Sequence, residues 1–222
     1  MTATLDYHGD IAILDLGDDE NRFSPAFLDE VNAHLDTVLD RAAHGLVTTA
    51  DSKFYSNGLD LDWLGAHSDQ GDWYVGRVQA LLARVLTLPI PTAAAVVGHA
   101  FGAGAMLAIA HDFRVMRADR GFFCFPEVDI RIPFTPGMAA LIQAKLTPQA
   151  AVASMTTGRR FGGHDAHGHG LVDATAAEGA VTIAATELLR PLGGKDSGTL
   201  GAIKQVMFGP AAQVLTAPGA GN

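Results

Sequence analysis

The chain contains one cysteine, Cys124, in 222 residues. That excludes an intramolecular disulfide framework and suits a reducing compartment. A basic surplus is also missing. Fifteen Lys and Arg stand against 24 Asp and Glu, a net charge of −9. Such a chain has no general attraction for nucleic acid or for an anionic membrane surface, so an anionic ligand must be held by local groups. The longest apolar stretch, residues 92–110, is broken by Gly98, His99, Gly102 and Gly104, which excludes a membrane span. The opening MTATLDYHGD lacks a basic segment followed by an apolar run, and the closing APGAGN carries neither a peroxisomal address nor a lipidation signal. The expectation is a cytoplasmic protein. Aromatic residues make up only 7% and charged residues 18%, but 48% are hydrophobic, enough for one sizeable core and too apolar for a disordered chain.

Hydrophobic spacing supplies the elements. Ile11 to Leu16 is β-branched and apolar and reads as a strand, followed by a polar turn from Asp18 to Asn21. Ser24-Pro25 has the form of a helix N-cap with proline at the first position, and Phe27, Val31, Leu35 and Val38 follow at helical spacing. Leu46 to Thr49 is a short buried strand, and Tyr74, Val78, Leu81, Leu82 and Val85 mark a second helix stopped by Leu88-Pro-Ile-Pro91. Strands over 92–97, 113–116 and 121–125 alternate with a helix over 105–110, which predicts an α/β core with parallel pairing. Beyond Thr147 the chain is Ala-rich and predicted helical, Gly193-Gly194 offers a hinge, and residues 211–222 are expected to be loosely ordered.

Three segments carry chemical potential. In Phe54-Tyr-Ser56-Asn57-Gly58-Leu59-Asp60 a strand ends in a small-residue turn, where Gly58 can leave neighbouring N–H groups free to point at a ligand. The plainer alternative is an ordinary strand-to-helix turn capped by Asp60. Gly98-His-Ala-Phe-Gly102-Ala103-Gly104 leads into a helix start, whose unpaired N–H groups attract negative charge. Its spacing does not match G-x-G-x-x-G, so no dinucleotide fingerprint is present. Phe122-Phe-Cys-Phe-Pro126-Glu127 puts a carboxylate after an apolar strand, either as an exposed strand-end charge or in an apolar pocket with a raised pKa.

The order and spacing of these segments resemble the crotonase (enoyl-CoA hydratase/isomerase) superfamily. The resemblance continues through His111-Asp112-Phe-Arg-Val and Thr157-Gly158-Arg to Gly170-Leu-Val-Asp173. Gly17-Asp-Asp-Glu-Asn-Arg22 and Met116-Arg-Ala-Asp-Arg-Gly121 are most similar to Δ3,Δ2-enoyl-CoA isomerases of the plant peroxisomal type. The resemblance implies a crotonase-like ββα spiral over residues 1–175. A short C-terminal helical region with a loose tail is then expected over 176–222. It implies an acyl-CoA thioester substrate, no separate cofactor, no metal, and a homotrimer or hexamer. Ser56, Asn57, Gly58, Leu59, Asp60, Gly102, Ala103 and Met106 are the implied substrate-binding positions. The backbone N–H groups of Asn57 and Ala103 are the implied oxyanion donors.

Glu127 corresponds to one of two hydratase glutamates, and the second falls at Met106, which transfers no proton. Isomerisation needs one base, so proton transfer from C2 to C4 by Glu127 is the preferred activity. Hydration, another crotonase-type reaction and a catalytically silent acyl-CoA-binding subunit are the alternatives. Phe122, Phe123, Phe125 and Met106 are expected to supply an apolar slot. Lys53, Lys195 and Lys204 are the candidates for the CoA phosphates. His164, Asp165, His167 and His169 lie close enough in sequence to suggest a metal, but the resemblance places them on a helix whose exposed face they would decorate. His99 and His111 read as core or turn residues, and Cys124 as a small core residue. No G-x-S-x-G elbow is present, which disfavours a serine hydrolase.

Overall fold

Strands β1 (Thr4–His8) and β2 (Ile11–Asp15) open the chain as an antiparallel pair. The structure, a computed structural model, describes residues 3–217. Strand β1 is an edge strand with no fully buried position, so its sequence lacks the apolar signal that marks β2. Helix α1 (Pro25–Asp40) begins as its sequence predicts, with the Ser24 side chain accepting the N–H of Phe27.

A ββα unit then repeats. Strands β3 (Gly45–Thr49) and β4 (Phe54–Ser56) lead to helices α2 (Leu61–Ala66) and α3 (Gly71–Leu86). Strands β5 (Thr92–Val96) and β6 (His99–Phe101) lead to α4 (Ala103–Ala110), and β7 (Phe113–Arg117) and β8 (Phe123–Cys124) lead to α5 (Glu127–Ile130). The first strand of each unit joins a six-stranded sheet of order β1-β2-β3-β5-β7-β9, where β9 is Ala174–Ala176, and the second joins a three-stranded sheet, β4-β6-β8. Among the described strands every pairing except β1–β2 is parallel, and Phe123 makes an isolated antiparallel bridge to Phe161. This is the expected ββα spiral.

The parallel strands are apolar on both faces because both are covered. Ala12, Leu14, Leu46, Ala94, Val96 and Met116 belong to the main core with α1, α3 and α4. Ile11, Ile13, Val47, Ala93, Ala95 and Val115 face the other side, where Val181, Ala185 and Leu189 of α9 (Val181–Leu189) close over them.

The C-terminal part departs from expectation. The division expected after residue 175 falls inside β9, and α9 seals one face of the main sheet, so residues 176–215 are part of the core. Helices α6 (Pro136–Lys145) and α7 (Pro148–Met155) start at Thr135-Pro136 and Thr147-Pro148, each threonine capping its helix. The first of these signals precedes the region read as helical. After α8 (Gly163–Gly168), helix α10 (Ser197–Leu215) packs on α3 and α6. Its buried Lys204, Phe208, Ala211 and Leu215 recur at helical spacing. That stripe, hidden in an Ala- and Gly-rich stretch, overturns the expected loose order from Ala211 to Leu215, while residues 218–222 lie outside the described residues. No helix among the described residues is long and apolar enough to cross a membrane.

Candidate active site

Two turns from successive ββα units interlock. Gly58 follows β4 with φ +79, and a methyl group there would lie 2.7 Å from the Phe101 carbonyl oxygen and 2.9 Å from the Ala103 nitrogen. Glycine is required for both the backbone conformation and the approach. A methyl group on Gly104 would similarly strike the Ser56 carbonyl oxygen at 2.4 Å.

The polar turn after β2 fastens this junction. Asn21 is buried at φ 49, and its Nδ2 donates to the carbonyls of Gly17, Phe54 and Tyr55, each at 3.2 Å. Ser56 Oγ donates to the Asn21 carbonyl at 2.7 Å and accepts the Gly58 N–H at 3.1 Å. Phe23 N–H donates to Gly58 O, and Asn57 N–H to Glu20 O, both at 2.8 Å. A further buried chain ties β3, β4 and α4. Burial pushes His111 down to about 4, so its ring is neutral at pH 7. Its Nδ1–H faces the Leu107 carbonyl at 2.8 Å, leaving Nε2 to accept from Thr48 Oγ at 3.0 Å, which in turn accepts from Tyr55 OH at 2.7 Å.

The Asn57 bond corrects the expected donor pair. Its N–H is spent on Glu20 O, so it is not free for an oxyanion. The free amide on this turn is that of Leu59, which has no partner among the described residues. Ala103 begins α4, and its N–H lies outside the helix's own ladder with no partner among the described residues.

Glu127 is the first residue of α5, buried, with Oε2 lacking a hydrogen-bond partner among the described residues. Burial pushes its carboxyl up to about 7, against a smaller opposing pull from its own backbone N–H. Oε1 faces the second turn: a methyl group on Gly102, whose φ is +51, would lie 3.5 Å from it. Between the carboxyl and the turns is a cavity of about 320 Å³ walled by Asn57, Leu59, Leu61, Phe101, Gly102, Pro126, Ile130 and Ile132, with Arg22 and Asp62 also bordering it. An apolar slot, a carboxyl that exchanges protons near neutral pH and two unpartnered amides can stabilise and protonate an enolate.

Of the expected site residues, Asn57, Leu59, Gly102 and Glu127 line this cavity, whereas Ser56, Gly58, Asp60, Ala103 and Met106 are not part of its wall, Ala103 following directly on Gly102. Asp60 accepts the Trp63 N–H as the cap of α2, and its own N–H donates to Tyr74 OH, so it serves the turn. The expected aromatic slot is not formed: Phe123, Phe125 and Met106 are spent in the main core, and Phe122 packs against His99 instead. Phe101, Leu61, Ile130 and Ile132 replace them. None of the three lysine candidates borders the cavity. Lys204 is buried, paired with Asp112 at 2.6 Å and donating to the Ile90 carbonyl, because α10 docks there. Asp165 is taken by Arg159, His164 and His167 are exposed on α8, and no group of three potential metal ligands is found among the described residues. Cys124 is buried and donates to Gly158 O.

Residues 8–218 match the enoyl-CoA hydratase/isomerase family. The chain belongs to that family. Enoyl-CoA delta isomerase 2, peroxisomal, of Arabidopsis thaliana is 37% identical over 204 residues, covering 86% of this chain and 85% of its own. Enoyl-CoA delta isomerase 3 of the same plant is 37% identical over 192 residues, with 80% and 79% covered. Among solved structures, a probable enoyl-CoA hydratase of Mycobacterium tuberculosis superposes with a TM-score of 0.91 at 25% identity, covering 98% of this chain and 92% of that one. Human mitochondrial delta3-delta2-enoyl-CoA isomerase shares the fold, with a TM-score of 0.90 at 21% identity and coverage of 100% and 89%.

Within this family member, sequence reasoning missed Asn21, Arg22 and the two isoleucines. Asn21 and Arg22 close the polar run after β2, whose resemblance to the isomerases gave them no site role; the packing of β4 against that run brings them to the site. Ile130 and Ile132 follow Glu127 closely, but only the left-handed Arg131, at φ 60, turns them toward the cavity.

Proposed function

We propose that the protein isomerises 3-enoyl-CoA to 2-trans-enoyl-CoA, moving a proton from C2 to C4 through a dienolate. The observation that carries this reading is Glu127, a buried carboxyl with one unpartnered oxygen whose other oxygen faces the Gly102 turn leading into Ala103, interlocked with the turn that bears Leu59. A proton α to a thioester is far less acidic than a carboxylic acid, so its removal requires stabilisation of the enolate oxygen as charge develops. The amides of Leu59 and Ala103 receive that oxygen. Glu127 takes the C2 proton, and the same carboxyl returns it at C4, where the delocalised charge collects. The apolar walls keep the dienolate flat and dry. The plant relatives named as delta isomerases support the same reading. This chemistry asks for no metal or redox group, coenzyme A being part of the substrate.

Hydration would need a second proton-handling group at the position of Met106, a buried thioether on the first turns of α4. Purified protein given 3-hexenoyl-CoA should therefore form 2-hexenoyl-CoA with little 3-hydroxyacyl-CoA, as read by chromatography. Crotonyl-CoA hydration faster than 3-hexenoyl-CoA isomerisation would overturn the assignment in favour of a hydratase. No turnover of either substrate would favour a silent acyl-CoA binder.

The base must be ionised to act. With Glu127 held up to about 7, kcat/KM should fall about tenfold per pH unit below that value and level off above it. A profile measured from pH 5.5 to 9 checks this, and a flat limb between pH 5.5 and 7 would count against Glu127 as the base.

A homotrimer or hexamer fits helix α10, which leaves Ile203, Val206 and Met207 exposed. We also place the protein in the cytoplasm, as its single cysteine suits, although the Arabidopsis enoyl-CoA delta isomerase 2 is named as peroxisomal.

A further inference from the structure

Two of the lysines that the sequence offers as anion contacts, Lys195 and Lys204, meet Lys145 at a second cavity. It measures about 340 Å³ and shares no lining residue with the cavity at Glu127. Helix α4 separates the two, beginning at Ala103 beside Gly102 and ending at Ala110, two residues before Asp112 on the second wall. Phe113, Leu192, Leu200, Ile203, Met207 and Phe208 make that wall apolar. Three lysines against one aspartate give it a positive charge within a chain of net −9. Lys204 is spent on Asp112 and the Ile90 carbonyl. Lys145, the last residue of α6, is not. Its half-buried side chain places Nζ 4.7 Å from the Phe208 ring centroid, with no hydrogen-bond or ion-pair partner among the described residues. Burial pushes this amine down to about 8; Arg114 and Lys204 add to the shift, and Asp112 and Asp173 oppose it. An ammonium in such a place is stabilised by any anion brought within reach.

We propose that this cavity binds an anionic amphiphile, an acyl-chain carboxylate whose tail lies along the apolar wall and whose head pairs with Lys145. Its volume lies at the lower end of the range for small-molecule sites, and its few polar groups converge at one wall, as such sites require. The wall chemistry selects the ligand. Apart from the lysines and Asp112, no lining side chain carries a hydrogen-bond donor or a strong acceptor. A peptide segment would therefore lose water from N–H and C=O groups that find no partner there. A methylene chain asks for none and gains by leaving water. Exposed Lys195 adds a second positive charge at the rim, which favours an anionic head and repels a cationic one. Ile203 and Met207, exposed on α10, form the outward wall that a neighbouring subunit would otherwise cover.

The test is calorimetric titration of the full chain with decanoate, below its micelle-forming concentration, against decanol and decyltrimethylammonium, which share the tail. Decanoate should bind about tenfold tighter than decanol, the worth of one charge-assisted contact, and the cationic amphiphile should bind least. Lys145→Gln should weaken decanoate about tenfold and shift decanol less than about twofold, while Lys145→Arg keeps most of the decanoate affinity. In the wild type, decanoate affinity should also fall as pH rises from 7 to 9. The ammonium is lost through about 8, whereas the ligand carboxylate stays ionised across that range. This profile decides the matter even if Lys145→Gln does not fold, and a flat one overturns the proposal. Decanoate affinity unchanged in Lys145→Gln would put the ligand elsewhere, the Glu127 cavity included, and overturn it. So would equal affinity for decanoate and decanol, the mark of an unselective apolar surface. No decanoate binding by the wild type, the result if a second copy seats on Ile203 and Met207, overturns it as well.

Discussion

Glu127→Gln should lower kcat/KM for 3-hexenoyl-CoA by about two orders of magnitude or more while making the folded protein more stable at pH 8. The first effect follows from chemistry: the amide keeps the size and reach of the carboxyl but has no basic oxygen, and a positioned general base contributes about 10²–10⁴ in rate. The second follows from linkage. The Glu127 carboxyl is held up to about 7 in the folded state against 4.5 for an unburied one. A group raised in this way contributes its stability below the unfolded value and loses it as pH rises through the folded value. At pH 8 the ionised carboxylate is buried with Oε2 unpartnered, at a cost on the order of 1–3 kcal/mol. Glutamine carries no charge to bury. Thermal melts at pH 5 and pH 8 check the sign: the variant should gain at pH 8 and show little difference at pH 5. Near-wild-type turnover would remove Glu127 from the mechanism, and equal shifts at both pH values would remove the linkage argument.

Ala103→Pro should cost about 10²–10³ in kcat/KM, the usual loss for one oxyanion donor, while leaving the fold in place. Ala103 is the first residue of α4, the position where proline is best tolerated because its N–H has no helical partner to lose. The substitution deletes the proposed donor without breaking the helical ladder. Circular dichroism should match wild type, and a folded variant with full activity would place the oxyanion elsewhere. Asn57→Ala provides the contrast. It removes the Nδ2 contact to Glu20 but leaves every backbone amide of the turn, so its loss should be much smaller than that of Ala103→Pro.

The alternating strands and helices of the spiral, its parallel pairing and the start of α1 were legible in the sequence, because local spacing and capping residues report them directly. Glu127 and the two glycine turns were also recognisable, through residue types at separations that resemble a family. The donor assignment was not. Asn57 and Leu59 flank Gly58 symmetrically in sequence, and only the approach of Glu20 from the loop after β2 decides which amide is spent. The aromatic slot was misplaced for a similar reason. Phe123 and Phe125 look equivalent to any other apolar residue beside Glu127, but β8 is the edge of the small sheet and turns both into the core.

The sequence by itself determined which groups are available: one carboxyl after an apolar strand, glycines where two turns must meet, no second acid at Met106, and no general basic surface. Tertiary structure alone decided which of those groups are free to act. Burial raises the Glu127 pKa, and the close approach at Gly58 joins turns from different ββα units. The fold also leaves Arg22 as the cation at the cavity. Desolvation and hydrogen-bond occupancy depend on atoms brought in from distant parts of the chain, and local sequence does not encode those neighbours.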